Sequence, residues 1–205
     1  MARDSGAARM REVVCVEGEE LVRLADELDY DALARVRELV AGLRESGGCL
    51  FFTGCGTSAQ AARKMAHTFD VIEQRAFFLD PADAVHGGLG AVHAGDVVVF
   101  ISKGGRTAEL ASFLPNVVKK GAHVVSLGES PDTELGRASE VFLRVKIERE
   151  PDEFNMLATA STLAAIAVFD AIAISLMGEE GFSKDEFLVN HPSGDVGRRL
   201  AGGLA

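Results

Sequence analysis

The chain has 205 residues, of which 47% are hydrophobic and 25% charged, so it can bury a sizeable core and wholesale disorder is excluded. Its net charge of −10 argues against nucleic acid or an anionic membrane surface as the main partner, but it does not exclude a small anionic ligand, which responds to local donors. Cys15, Cys49 and Cys55 form neither a CxxC pair nor a zinc-ligand spacing, and we interpret them as reduced thiols of a cytoplasmic protein.

Helical periodicity predicts an N-terminal helical segment at about residues 16–45, as one bent helix or as two helices. Apolar residues recur at i, i+3, i+4 and i+7 on both sides of a break near Asp29–Asp31, and Gly47–Gly48 end the pattern. The residues before this segment lack the apolar run of a secretory signal peptide.

After this segment, short apolar runs alternate with helical stretches. The runs predict five buried strands, at Cys49–Thr53, Phe77–Leu79, Val97–Ile101, His123–Leu127 and Val141–Val145. The stretches predict helices at about Ala59–Phe69, around Leu110–Val118 with a kink or early break at Pro115, at 156–177 and at Ser183–Leu188. This alternation predicts an α/β fold with a central parallel sheet of about five strands and helices on both faces. We treat residues 1–205 as a single domain.

The stretch at 156–177 is long enough to cross a bilayer. Asp170 and four hydroxyl residues interrupt it, and a charge in hydrocarbon is costly. We therefore predict a buried helix of a soluble protein and no membrane partner.

Two loops rich in glycine and hydroxyl residues follow the two clearest strands, at Gly54–Ser58 and Ser102–Thr107. In a parallel sheet both loops lie at the carboxyl edge, where ligands bind, and the helix that follows each offers free N–H donors. Each loop taken alone has a simpler interpretation, in which the hydroxyls cap helices and the glycines form turns. Together they predict a phosphate site made by Gly54, Gly56, Thr57, Ser58, Ser102, Gly105 and Thr107. Neither loop matches GxxxxGK[ST] or GxGxxG, so a nucleotide is disfavoured and we expect no cofactor.

At about residues 30–200 the chain resembles the SIS (sugar isomerase) domain of bacterial arabinose-5-phosphate isomerases. Four segments carry the resemblance: FFTGCGTSAQAARKMAHTF, DPADAVHGGLGAV, DVVVFISKGGRTAEL and GFSKDEFLVNHPSGDVGRRL. The most specific parts are Val85–Gly90 and His191–Leu200. The resemblance does not extend to the paired regulatory (CBS) domains that often follow this domain.

The resemblance implies a flavodoxin-like, three-layer α/β/α sandwich and a homotetramer whose sites are shared between subunits. It implies that His86, Glu109 and His191 are catalytic. One position departs from the family: Thr57 stands where the family has a lysine, and Lys103 and Arg106 in the other loop are candidates to supply that charge.

These residues suit aldose–ketose isomerisation of a sugar phosphate through an enediolate, which needs a base at carbon, an acid–base group at oxygen and stabilisation of negative charge. The lead substrates are arabinose 5-phosphate and ribulose 5-phosphate, and no local motif predicts a metal. Glu109 also has a simpler interpretation, since an acid in the first turn of a helix complements its dipole.

Three alternatives stay open: an isomerase of a different pentose or hexose phosphate, a lyase or etherase on an amino-sugar phosphate, and a sensor that binds sugar phosphates without turnover. The loss of the loop lysine favours a sensor. However, a sensor would normally carry a DNA-binding domain, and the roughly thirty residues before the fold are too few for one.

Overall fold

The computed structural model describes residues 2–179 and 181–194. Its helices are α1 (Ala2–Glu27), α2 (Tyr30–Ser46), α3 (Thr57–Val71), α4 (Pro81–Val85), α5 (Ala108–Lys119), α6 (Glu134–Ala138), α7 (Ala160–Glu179) and α8 (Lys184–Asn190). Its strands are β1 (Leu50–Gly54), β2 (Ala76–Phe78), β3 (Val97–Ile101), β4 (His123–Gly128) and β5 (Val141–Arg144), and a 3₁₀ turn spans Gly88–Ala91.

The five strands form one parallel sheet in the order β2-β1-β3-β4-β5, which confirms the predicted fold class. β1 and β3 are neighbours in the middle of the sheet, and their register runs from Leu50 beside Val97 to Gly54 beside Ile101. The two strands therefore end level with each other. The strand order reverses between them, and such a switch point is the usual ligand crevice of an open α/β sheet.

Alternate strand residues face two separate hydrophobic clusters, as expected for a sheet covered on both faces. Phe52 belongs to the cluster formed with α2, α3 and α7, whereas Phe51 belongs to the cluster formed with α4, α5 and α6. In the first cluster the Phe52 ring meets Phe169 of α7 edge to face, with 5.1 Å between ring centroids. The molecule is thus a three-layer α/β/α sandwich.

The apolar helix α7 is part of this core. By length and composition it would be able to cross a membrane, but one face of the helix is buried in the first cluster and Asp170 forms an ion pair with Lys64 of α3. These contacts account for the apolar residues on the buried face of α7, while Leu163 and Ile174 lie on its exposed side.

The structure differs from the predictions at several element bounds. The N-terminal helical segment consists of two helices, and α1 begins at Ala2 rather than near residue 16. The second helix, α2, is capped by Asp29, whose side chain accepts a hydrogen bond from the Ala32 N–H at 2.9 Å. Pro115 does not break α5, because it lies on the exposed face, where water can satisfy the carbonyl that a proline leaves without a partner. The five-residue helices α4 and α6 were not predicted, since they are shorter than the window of about 11–18 residues over which helical periodicity can be recognised.

Candidate functional site

The loop after β1, residues 54–58, is shaped by glycine. A Cβ added to Gly54 would lie 3.0 Å from the backbone of Ser58, so glycine lets the chain turn directly into α3 without displacing Ser58. Gly56 has φ +58 and precedes the first residue of α3 without a side-chain cap. Thr57 and Ser58 are therefore the first two residues of the helix, where backbone N–H groups lack acceptors within the helix.

The loop after β3, residues 102–107, is held by its side chains. The hydroxyls of Ser102 and Thr107 share a hydrogen bond of 2.8 Å, and Gly105 N–H donates to the Ser102 carbonyl at 3.1 Å. Gly105 has φ +63, and a Cβ there would lie 2.6 Å from the Thr133 hydroxyl. The loop conformation thus depends both on a positive φ and on close packing.

The simpler interpretation of the loop hydroxyls, in which each one caps the helix that follows it, is wrong at Thr107. Thr107 occupies the N-cap position of α5 but makes no side-chain cap hydrogen bond, because its hydroxyl is bound to Ser102. By contrast, Thr133 caps α6 and Ser183 caps α8. Two helices whose N-termini lack a side-chain cap, α3 and α5, therefore meet at the switch point, and this arrangement is suited to an anion.

A small pocket lies beside the two loops. Its polar lining consists of Ser58, Lys103, Ser161 and Thr162, and its apolar lining includes Ile101 and Leu127 at the ends of β3 and β4. The pocket therefore brings together residues of both loops and the first turn of α7.

A buried carboxylate, Glu150, connects the second loop to the start of α7. Its side chain has no solvent exposure and accepts from Lys103 Nζ at 3.0 Å, from Thr159 N–H at 3.0 Å and from the Ser161 hydroxyl. Burial acts to raise the pKa of Glu150, but the hydrogen bonds from Ser161 and Lys103 outweigh it, and the pKa lies below its ordinary value. Glu150 is therefore held as an anion next to the pocket.

Sequence reasoning missed Glu150, Ser161 and Thr162. Glu150 and the residues just before α7 lie in an irregular segment with no strand or helix of its own, so no periodicity marks them. The clue available in the sequence was the run of hydroxyls in ATAST at 158–162, which we treated as interruptions of an apolar helix.

Glu109 and His86 lie on adjoining elements. Glu109 is the second residue of α5 and is exposed; His86 directly follows α4, which packs against α5, and is also exposed. Burial, followed by the charges of Glu109 and Asp80, raises the pKa of the Cys55 thiol, so the Glu109 carboxylate lies near the first loop. Glu109 is thus near the segment that joins β1 to α3.

His191 lies away from these residues. Asn190 donates from Nδ2 to the carbonyl of Val71 at 3.1 Å, which places His191 beside the last residue of α3. Since α3 has 15 residues, that point is roughly 20 Å from the loop at its start.

The His191 ring stacks on Phe187, with 4.7 Å between the ring centroids, and its buried Nδ1 has no hydrogen-bond partner among the described residues. The rest of the quoted terminal segment, residues 195–200, lies outside the described residues.

Arg106 does not share the small pocket. It is exposed and lines a separate depression with Ser112 and Glu134 on the outer side of α5. Of the two candidate cations in the second loop, Lys103 is therefore the one that lines the small pocket together with Ser58.

The three cysteines are free thiols, Cys15 exposed and the other two partly buried. Within residues 2–179 and 181–194, no group of three His, Cys, Asp or Glu side chains is placed to hold a metal ion.

Comparison with known proteins gives one family and several similar structures. Residues 43–175 match the model of the SIS domain. Arabinose 5-phosphate isomerase GutQ of Salmonella typhi is 31% identical over 190 residues, which are 93% of this chain and 58% of that protein. A Listeria monocytogenes structure, provisionally named a sugar-phosphate isomerase, is 39% identical with a TM-score of 0.90 over 94% of this chain and 100% of that one. Protein c3406 of E. coli CFT073, in complex with arabinose 5-phosphate, is 27% identical with a TM-score of 0.88 over the same shares.

The chain spans about half the length of the curated relatives it matches, 58% of GutQ and 47% of the KdsD isomerases.

Proposed function

Because the chain belongs to the SIS domain family, we propose that it is a phosphosugar isomerase that interconverts an aldose phosphate and a ketose phosphate, with arabinose 5-phosphate and ribulose 5-phosphate as lead substrates. The observation that carries the proposal is the meeting of two helix N-termini without side-chain caps at the switch point, next to Glu109. The similarity to GutQ and to c3406 supports the choice of substrate.

The phosphate group is proposed to lie between Thr57–Ser58 and Ser102–Thr107. Gly54, Gly56 and Gly105 give the two loops their conformations, and the hydroxyls of the two loops are proposed to donate to phosphate oxygens. The sugar then extends from the loops toward α4 and the start of α5.

Proton transfer is assigned to Glu109 and His86. A base removes the proton from C2 of the aldose, the C1 carbonyl becomes part of an enediolate, and return of the proton to C1 with the carbonyl at C2 yields the ketose. Glu109, in the first turn of α5, directly follows the second loop and is assigned the transfer between C1 and C2, and His86, beside α4, is assigned proton exchange at the sugar oxygens. The reaction conserves atoms and electrons and needs no cofactor.

His191 has a role in this scheme only if it is supplied by another copy of the chain. Within one chain it lies at the far end of α3 from the loops. We propose a cytoplasmic homotetramer with sites shared between subunits, in which the partner subunit's His191 assists ring opening.

Subunit mixing tests this sharing. Co-refolding inactive Glu109→Gln chains with inactive His191→Ala chains should restore part of the activity, since some mixed sites receive both native residues. Mixtures that stay inactive, or a monomer in light scattering at micromolar concentration, would contradict shared sites.

A panel of phosphorylated tetroses, pentoses and hexoses in deuterated water tests the activity. We expect arabinose 5-phosphate to acquire deuterium at C2 and ribulose 5-phosphate at C1. Exchange with a different sugar of the panel would keep the isomerase and change its substrate. Tight binding of a phosphosugar without any deuterium uptake would favour the sensor instead. The sensor alternative is supported by Thr57, which stands where the family has a lysine.

A further inference from the structure

Glu20 is a buried carboxylate that the proposed chemistry does not use. It lies in the second half of α1 and is 6% exposed, whereas Glu19 beside it is exposed. A buried charge is costly unless it is paired and hydrogen-bonded. The contacts of Glu20 therefore indicate what its carboxylate does in the fold.

The Glu20 side chain binds backbone groups that follow β5. Its Oε2 accepts from the Glu148 N–H at 2.9 Å, and its Oε1 accepts from the Arg149 N–H at 3.2 Å. Arg23 donates to Glu20 Oε2 at 2.8 Å and to the Lys146 carbonyl at 2.9 Å. Glu20 and Arg23 thus hold three backbone groups of this segment against α1.

These contacts keep the carboxylate charged. Burial acts to raise the pKa of Glu20, but the hydrogen bonds from Arg23 and from the N–H groups of residues 148 and 149 outweigh it, so the pKa lies below its ordinary value. Hydrogen bonds to a charged acceptor are stronger than those between neutral groups. The charged Glu20 therefore binds the segment more firmly than a neutral side chain would.

The segment held in this way connects β5 to α7. Residues 145–159, the β5–α7 connection, contain no helix or strand, so their backbone groups need partners in other parts of the chain. Ser161 and Thr162, at the start of α7, line the small pocket beside the two loops. The path of the connection therefore decides where the first turn of α7 lies relative to that pocket.

We infer that Glu20 is a positioning residue through which α1 fixes the path of the β5–α7 connection, and with it the place of the first turn of α7 at the small pocket. The effect on catalysis rests on the proposed function, whereas the hold on the connection does not. Loss of the carboxylate should release the connection locally while the sandwich stays folded.

Limited proteolysis with trypsin tests the hold on the connection, because trypsin cleaves after lysine and arginine and both Lys146 and Arg149 are exposed. Glu20→Met keeps the length of the side chain but removes both acceptors. Cleavage at these two bonds should become about 10- to 100-fold faster, the scale of a lost hydrogen bond to a charged group. Glu19→Met is the matched control on the exposed side of α1 and should be cleaved as the wild type is.

A second control separates local release from a general loss of stability. Val117→Ala opens a cavity in the hydrophobic cluster on the other face of the sheet, so it should raise cleavage at all sites together. Glu20→Met should raise it only at Lys146 and Arg149. Unchanged cleavage at these two residues, or cleavage raised equally throughout the chain, would overturn the inference.

Steady-state kinetics with arabinose 5-phosphate test the consequence for the site. Glu20→Met should raise KM several-fold at a nearly unchanged kcat, because only molecules with the connection in place bind substrate. Saturating substrate should also slow the trypsin cleavage of this variant, since a ligand stabilises the form that it binds. A released connection with an unchanged KM would overturn the positioning role. A wild type without turnover on any phosphosugar would instead contradict the isomerase proposal, and the cleavage pattern would then decide the inference alone.

Discussion

The two loops at the carboxyl edge look alike in sequence but are constructed differently. In the β1 loop, Gly54 and Gly56 let the backbone turn directly into α3. In the β3 loop, Ser102 and Thr107 bind each other, and the intervening Lys103 is tied to a carboxylate 47 residues away. On the proposed function, the first loop would offer mainly backbone donors to the phosphate, and the second loop would offer side chains held in fixed positions.

This difference indicates how the two loops should respond to mutation. The β1 loop should tolerate loss of a hydroxyl as long as its glycines remain, because its donors are mainly backbone N–H groups. The β3 loop should be sensitive at its side chains as well as at Gly105, because each side chain also holds the others in place. The predictions below compare the two loops, from the largest expected effect to the smallest.

The largest effect is expected for Glu109, which follows the β3 loop. Glu109→Gln should lower kcat by about 10²- to 10⁴-fold and leave phosphate affinity intact, because the amide keeps the shape but cannot take a proton. Steady-state kinetics and phosphate calorimetry measure the two effects. Glu134→Gln, also in the first turn of a helix and exposed, is the control for the helix dipole and should keep its activity. Near wild-type turnover in Glu109→Gln would remove Glu109 from the chemistry.

Glycine substitutions compare the stability of the two loops. Gly105→Ala should lower the free energy of unfolding by about 2–4 kcal/mol, since it combines a positive φ with a Cβ placed 2.6 Å from Thr133. Gly56→Ala should cost about 1–2 kcal/mol, since its Cβ would meet nothing within 4 Å and the strain of φ +58 is the whole penalty. Urea denaturation measures both values. Equal costs would mean that the β3 loop is not held by packing.

Hydroxyl deletions compare the binding of phosphate by the two loops. Ser102→Ala should weaken inorganic phosphate binding by about 1–3 kcal/mol, because it removes a donor to a charged group and releases Thr107. Thr57→Ala should cost about 0.5 kcal/mol or less, since the N–H of residue 57 remains. A greater loss at position 57 than at 102 would reverse the proposed division between the loops.

The pH dependence of stability should show the smallest effect. The folded-state pKa of Glu150 lies below its unfolded value, so its contribution to stability is present above about pH 4.3 and is lost as the pH falls through the folded-state pKa. Unfolding free energies of the wild type and Glu150→Gln should therefore converge as the pH is lowered from 5 to 3. A difference that stays constant over this range would show that Glu150 is not a stabilised anion.

The sequence predicted the parts of the molecule that depend on local patterns. The strand Val97–Ile101 has the predicted bounds because its continuous apolar run, β-branched except for Phe100, favours a buried strand. Glu150 was missed because its importance comes from contacts with Lys103 and Ser161, which are far apart in sequence from one another. The location of His191 could not be predicted from the sequence either, because it depends on how α8 packs against the end of α3.

A crystal structure of Glu109→Gln with arabinose 5-phosphate tests the central claim most directly, because this variant should bind the sugar without converting it. The account predicts the phosphate between residues 57–58 and 102–107, within hydrogen-bonding distance of Ser102 and Lys103, with the sugar directed toward position 109 and His86. A phosphate bound instead in the depression beside Arg106 and Glu134, or an empty switch point at saturating ligand, would contradict it.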